Sequence, residues 1–231
     1  MDKRVGNAEA VIGRIRDGAT ILVGGFGVCG VPENLINALI RQGTKNLTIV
    51  SNNGGVEDCG VGILLQAAQV RKMISTYIGG NKHFEKLALS GQLELELNPQ
   101  GTLAERMRAA GAGIPAFFTP TGYGTMVAEG KEVHEFSGRP HVLVAALGGD
   151  FAFVKAWKGD RWGNLVYRKT ARNFNAVVAT AADYVVAEVE ELVDLGQIDP
   201  DSVHTPGIFV DAIFEGTNYV KPMEPGPKRK R

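Results

Sequence analysis

The amino-acid sequence predicts an α/β fold, an open and mostly parallel sheet with flanking helices and a strand-rich second half. Three observations predict it. Thirty glycines are spread through 231 residues of which 44% are hydrophobic, the mark of many tight connections between buried elements. Short apolar runs alternate with amphipathic stretches across the first half, as strands and helices do in a βαβ chain. In the second half the pattern changes to paired runs of strand character joined by Gly- and Pro-bearing turns, which read as hairpins.

Residues 20–23, Thr-Ile-Leu-Val, form the first expected strand and open into a glycine-rich loop over residues 24–30. Pro32 suits the first position of a helix, where its missing N–H costs nothing, and Leu35, Ile36, Leu39 and Ile40 give that helix an apolar face. A second strand at 47–50 ends in the polar turn Ser51-Asn52-Asn53-Gly54-Gly55, and a helix follows at 63–69. A strand at 72–78 and a helix at 83–90 continue the alternation, and Leu93, Leu95 and Leu97 alternate with Glu94 and Glu96 as a half-buried strand does. Thr102 and Glu105 have the spacing of a capping box, which predicts a helix beginning at Thr102. Hairpins are expected between 132–136 and 141–147 and between 151–157 and 165–168. A short helix at 176–182 and a strand at 184–189 complete the set. Residues 1–220 read as a single domain without an internal repeat. Residues 221–231, ending Pro-Lys-Arg-Lys-Arg, read as a disordered basic tail.

Twenty-five basic side chains balance 25 acidic ones, which argues against nucleic acid or a membrane surface as partner. The longest apolar runs, such as residues 142–147, fall far short of the roughly 20 residues a membrane helix needs. No apolar core follows the basic residues at the start, so a signal peptide is not expected and the cytoplasm is. Cys29 and Cys59 lie in separate glycine-bearing loops; the sequence leaves a disulfide between them open and favours two thiols.

Gly25-Phe26-Gly27-Val28-Cys29-Gly30 spells the dinucleotide fingerprint G-x-G-x-x-G, yet the second strand ends in Val50-Ser51-Asn52-Asn53 where a ribose-binding acid would be required. The physical character of the loop survives without that label: glycines let a ligand approach the backbone, and the helix after Pro32 presents N–H groups and a positive dipole end to an anion. Cys29 reads as a packing residue, since no histidine stands near to activate it. Asn52, Asn53 and Gln100 stand where strand ends meet ligands in open α/β sheets and can orient an acyl or carboxylate oxygen; turn formation alone accounts for the asparagines equally well. The carboxylates, Glu33 and the group Glu188, Glu190 and Glu191 among them, have helix-capping or solvent-face explanations. The four histidines are scattered, so no metal site is expected.

Residues 17–32, Asp-Gly-Ala-Thr-Ile-Leu-Val-Gly-Gly-Phe-Gly-Val-Cys-Gly-Val-Pro, resemble the signature of class I 3-oxoacid CoA-transferases, an acidic residue and glycine leading through a short strand into G-G-F-x-x-x-G-x-P. Four further strings keep the order and spacing of that family's A (alpha) subunit: 50–56, 99–106, 113–125 and 168–175. The family's R-A-G-G-A-G stands here as Arg108-Ala109-Ala110-Gly111-Ala112-Gly113. The resemblance implies a fold shared with sugar-phosphate isomerases and a partner B subunit, in an A2B2 heterotetramer. It also implies ping-pong transfer of CoA through a glutamyl-CoA thioester on that partner. The B-type Glu-Asn-Gly motif is absent from this sequence, so no catalytic residue is expected on this chain. Coenzyme A enters as substrate and no cofactor is implied. By resemblance, Gly24, Gly25, Phe26, Gly27, Val28, Cys29 and Gly30 form the CoA or active-site loop, and Asn52, Asn53 and Gln100 face the acyl group. Residues 149–157 resemble succinyl-CoA:acetoacetate transferases and residues 158–164 also resemble 3-oxoadipate transferases. Acetate and butyrate transferases share the architecture. A sugar-phosphate-binding regulator is the alternative from another class.

Overall fold

The computed structural model describes residues 2–220, so the expected tail at 221–231 lies outside the described residues. After a short helix α1 (Glu9–Ile12), the strands β1 (Thr20–Val23), β2 (Leu47–Ser51), β3 (Val70–Ser75) and β4 (Glu94–Leu97) lie side by side in parallel. The helices α2 (Glu33–Gln42), α3 (Val61–Gln66) and α4 (Lys82–Leu89) connect them. A longer helix, α5 (Gln100–Gly111), leads to an antiparallel sheet of β5 (Ala116–Thr119), β6 (Val133–Phe136) and β7 (Arg139–Ala145). The chain then returns to the large sheet on the other side of β1. There β8 (Gly149–Asp160) pairs with β1, β9 (Leu165–Val166) folds back on β8, and a short α6 (Asn175–Val178) precedes β10 (Ala182–Val193) and β11 (Ala212–Glu215). The resulting order is β11-β10-β8-β1-β2-β3-β4.

Both faces of the sheet's centre are covered, which is why β1 and β2 read as continuous apolar runs, whereas the edge strand β4 keeps its Glu-Leu alternation. Ile21, Val23, Ile49 and Met73 point to one face and pack with Leu35, Leu39, Leu64 and Phe84 of the connecting helices. Leu22, Val50, Ile74 and Val154 point to the other and pack with Leu103 and Met107 of α5 and Val178 of α6. The two-residue period of the strands thus divides one apolar run between two cores.

Several expectations need correction. The capping box does not form: α5 starts at Gln100 behind Pro99, whose carbonyl accepts from Leu103 N–H at 2.9 Å, while Thr102 is buried and Glu105 pairs with Arg108. Gln100 therefore belongs to a helical turn and not to a loop. At the start of α2, Pro32 occupies the cap and Glu33 the first helical position. The expected 151–157 hairpin is a minor appendage, because only Lys158 and Gly159 of β8 pair with β9, whereas β8 pairs in parallel with β10 from Gly149 to Asp160. The β6–β7 hairpin forms with Phe136 opposite Arg139, and Ser137 and Gly138 make the turn at φ values of 51° and 75°. The sequence pattern does not predict β11, whose buried run is only Ala212, Ile213 and Phe214.

Candidate functional site

The carboxyl ends of β1, β2 and β3 and the start of α5 surround a cavity of about 630 Å³. The loop after β1 contributes Phe26 and Gly27, the turn after β2 contributes Asn52 and Asn53, the turn after β3 contributes Thr76 and Tyr77, and α5 contributes Gln100. Asn52 is 1% exposed and its carbonyl accepts from Thr76 N–H at 3.1 Å and from the Thr76 hydroxyl at 2.8 Å, so β2 and β3 hold it rigidly. Its Oδ1 accepts from Asn53 Nδ2 at 3.3 Å, and Asn53 Oδ1 accepts from Gly55 N–H at 2.9 Å. The asparagines therefore do both things considered for them: they build the turn and they line the cavity. The rings of Phe26 and Tyr77 remain 47% and 61% exposed at the cavity. A Cβ at Gly79 would collide with the Tyr77 ring, so only glycine lets that ring lie where it does.

A second cavity, of about 310 Å³, opens on the other side of the glycine loop, between β1 and β8 where the strand order reverses. Val28, Cys29 and Gly30 line it together with Lys155, Trp157, Arg168 and Glu190. Glu190 pairs with Arg168 at 2.8 Å and with Lys155 at 3.4 Å. The loop predicted as one site is thus a wall between two cavities. Gly24 and Gly25 line neither; both are buried at its root.

The expectation of no internal repeat is also corrected. Residues 24–31 and 54–61 share the pattern G-G-x-x-x-C-G-V, follow adjacent parallel strands, and close with the same antiparallel bridge, Phe26 to Cys29 in one and Val56 to Cys59 in the other. Gly30 and Gly60, at matching positions, both have left-handed φ values of 71° and 64°. Gly55 and Val56 of the second loop line the larger cavity opposite Phe26 and Gly27. Both cysteines are free thiols; burial raises the Cys59 thiol pKa, with Glu33 and Asp58 adding to the shift.

Comparison with known proteins shows the family. A family model described as "Coenzyme A transferase" matches residues 6–216. The chain belongs to the coenzyme A transferase family. The A subunit of the succinyl-CoA:3-ketoacid coenzyme A transferase of Xanthomonas campestris pv. campestris is 59% identical over 223 residues, covering 96% of this chain and 92% of that protein. The human "succinyl-CoA:3-ketoacid coenzyme A transferase 2, mitochondrial" is 51% identical over 228 residues, covering 91% of this chain and 44% of that one. Among solved structures, the acyl-CoA transferase of Escherichia coli O157:H7 matches with a TM-score of 0.84 at 25% identity, covering 93% of this chain and 47% of that one. This chain thus spans about half the length of the human relative and of the E. coli structure.

Within this transferase chain, the string at 168–175 acquires a physical role that its residues alone did not disclose. Asn173 Nδ2 donates to the Cys29 carbonyl at 3.0 Å, Asn175 Nδ2 donates to the Gly30 carbonyl at 2.8 Å, and Thr170 Oγ1 lies 3.3 Å from Cys29 Sγ. The glycine loop is clasped from outside. Glu188 departs furthest from the sequence reading. It is fully buried in β10, where it accepts from Leu35 N–H of α2 at 2.9 Å. Burial pushes its carboxyl up to about 7, against the opposing effects of the Leu35 bond, the Lys155 charge and the Asn34 bond. The acceptor at the first turn of α2 is therefore a side chain of the protein itself.

Proposed function

We propose that the chain is the A subunit of a succinyl-CoA:3-ketoacid CoA-transferase, moving CoA from succinyl-CoA to a 3-oxo acid, with acetoacetate the first choice. One observation carries this reading. The cavity at the strand ends is lined by carboxamides, hydroxyls, glycines and apolar groups, and no carboxylate, thiol, imidazole or amine is among its lining residues. Such a site binds and orients, and its nucleophile must come from elsewhere. The exposed rings of Phe26 and Tyr77 suit a site that a second polypeptide covers. The names of the Xanthomonas and human relatives support the substrate pair.

In this reading a glutamate of the partner B subunit first attacks the acyl carbon of succinyl-CoA, and the CoA thiolate leaves a mixed anhydride. The thiolate then attacks the glutamyl carbon and succinate departs. The acceptor carboxylate reverses the sequence, taking the CoA and freeing the glutamate. Each stage develops an oxyanion, and fixed neutral donors stabilise it without reorganising. The amide groups of Asn52 and Asn53 each carry two N–H donors, of which the turn uses one, and the Gln100 amide faces the same space. Coenzyme A is the substrate in an A2B2 assembly working in the cytoplasm. No helix among the described residues is long and apolar enough to cross a membrane. A sugar-phosphate-binding regulator finds less support, since Glu188 occupies the helix terminus that would hold the phosphate.

The test is to purify the chain with its B subunit, supply succinyl-CoA alone and read intact masses. A CoA adduct on the B subunit, discharged by acetoacetate and poorly by 3-oxoadipate, acetate or butyrate, is the expected result. An adduct on this chain, or transfer by this chain without its partner, would sink the proposal.

A further inference from the structure

The first turn of α2 has no cap of its own. Pro32 stands at the cap position and offers no side-chain oxygen, so the early N–H groups of the helix need an acceptor from elsewhere. Glu188 supplies it from the middle of β10, accepting from Leu35 N–H at 2.9 Å through Oε2 and from Asn34 Nδ2 at 3.5 Å through Oε1. A fully buried carboxylate on a central strand is costly unless it has such partners.

The groups around it come from four elements. On α2 stand Asn34 and the more distant charge of Glu33, and on β8 stands Lys155, whose side chain is 8% exposed. On β10 itself Glu190 pairs with Lys155 at 3.4 Å. The segment after β11 brings Tyr219, whose ring lies 3.5 Å below the Lys155 ammonium and whose hydroxyl donates to the Val189 carbonyl at 3.4 Å, bordering the carboxylate. That segment is also tied to the same helical turn: Thr217 N–H donates to Asn34 Oδ1 at 3.3 Å and Val220 N–H to Glu33 Oε2 at 2.9 Å. Five residues before Leu35 stands Gly30, the last residue of the glycine loop that separates the two cavities.

We propose that Glu188 is a positioning residue for the active site: by accepting from the first turn of α2 it fixes the point at which the glycine loop ends. The kinetic consequence rests on the CoA-transferase reading above, while the structural one does not. What the role requires is an acceptor oxygen at this place, which either ionisation state of the carboxyl provides.

The experiment compares Glu188→Gln, which keeps an acceptor oxygen, with Glu188→Leu, which keeps bulk and loses it, each purified with the B subunit. Hydrogen–deuterium exchange of the peptide spanning 24–35 should run about tenfold faster in Glu188→Leu and stay within about twofold of the parent in Glu188→Gln. The kcat/KM for succinyl-CoA should follow the same split. If Glu188→Leu does not accumulate as folded protein, Asn34→Ala, which removes one donor to the carboxylate and the acceptor for Thr217, should speed exchange about threefold. Parental exchange in both Glu188→Leu and Asn34→Ala overturns the proposal, and so does a Glu188→Gln variant as impaired as Glu188→Leu. If the parent pair transfers no CoA, the functional reading fails and the exchange measurements still decide the positioning role.

Discussion

Asn175 and Gly30, 145 positions apart in the chain, are joined by a hydrogen bond of 2.8 Å from the Asn175 amide to the Gly30 carbonyl. The same amide donates to the Ala171 carbonyl at 2.9 Å, and Oδ1 accepts from Lys155 N–H at 2.8 Å. One fully buried carboxamide therefore ties the end of the glycine loop to β8 and to the segment that clasps the loop. Asn175→Ala would leave those backbone groups unpaired in the interior, where each costs far more than an average hydrogen bond gains. The expected loss is about 2–3 kcal/mol of unfolding free energy. Urea denaturation should show a lower midpoint at unchanged slope.

Gly24 packs directly against Asn175, and a Cβ added there would overlap the carboxamide. Gly24→Ala is expected to cost about 1–3 kcal/mol through overpacking. The two substitutions should not add. With Asn175 already shortened to alanine the two severe overlaps, with the carboxamide oxygen and carbon, are removed and only the backbone Cα of residue 175 at 3.2 Å still crowds the added Cβ, so Gly24→Ala should then cost well under half as much. A double-mutant cycle on unfolding free energies measures this coupling, and additive losses would show that Gly24 is glycine for another reason.

These contacts mark the limit of what is legible in the sequence. The alternation of strands and helices is readable because each apolar run is local and its period belongs to the element itself. The larger cavity is readable in part, because Phe26, Gly27, Asn52, Asn53 and Gln100 follow strand ends, and an open α/β sheet gathers such positions at one edge. Glu188 misleads because Val-Ala-Glu-Val-Glu-Glu looks like alternation with acids facing water, and only the placement of β10 between β8 and β11 buries the first of them. Asn175 belongs to a string that carries the family resemblance, yet nothing local discloses its role, since its partners at Gly30 and Lys155 are distant in sequence. The repeated G-G-x-x-x-C-G-V is in plain view, hidden by different residues at its three variable positions.

Gln100 is the most direct test of the larger cavity. It stands at the first position of α5, is exposed, and lines the space shared by Asn52 and Phe26. Gln100→Ala removes a donor without opening a core, so the melting temperature and assembly with the B subunit should be unchanged. Transition-state stabilisation should fall by on the order of 1–3 kcal/mol, about fivefold to 150-fold in kcat. Steady-state kinetics with succinyl-CoA and acetoacetate checks the size, and a rise in KM at constant kcat would instead assign Gln100 to binding shared equally by ground and transition states.

Glu188 makes stability depend on pH in a direction opposite to that of a surface carboxylate. Its folded-state value of about 7 lies above the ordinary 4.5, so between those values the folded chain holds a proton that the unfolded chain has released. The contribution favours folding in full below about pH 4.5, shrinks as pH rises through the interval, and is gone above about pH 7. The span corresponds to on the order of 3 kcal/mol. Glu188→Gln cannot titrate and should lose this dependence. The unfolding free energy of the variant relative to the parent should therefore climb between pH 5 and pH 7.5, the ordinary carboxylates cancelling in the difference. Urea titrations across that range measure it. A flat difference would mean that Lys155 and the Leu35 N–H hold the carboxylate ionised throughout, with the pairs to Glu188 outweighing its burial.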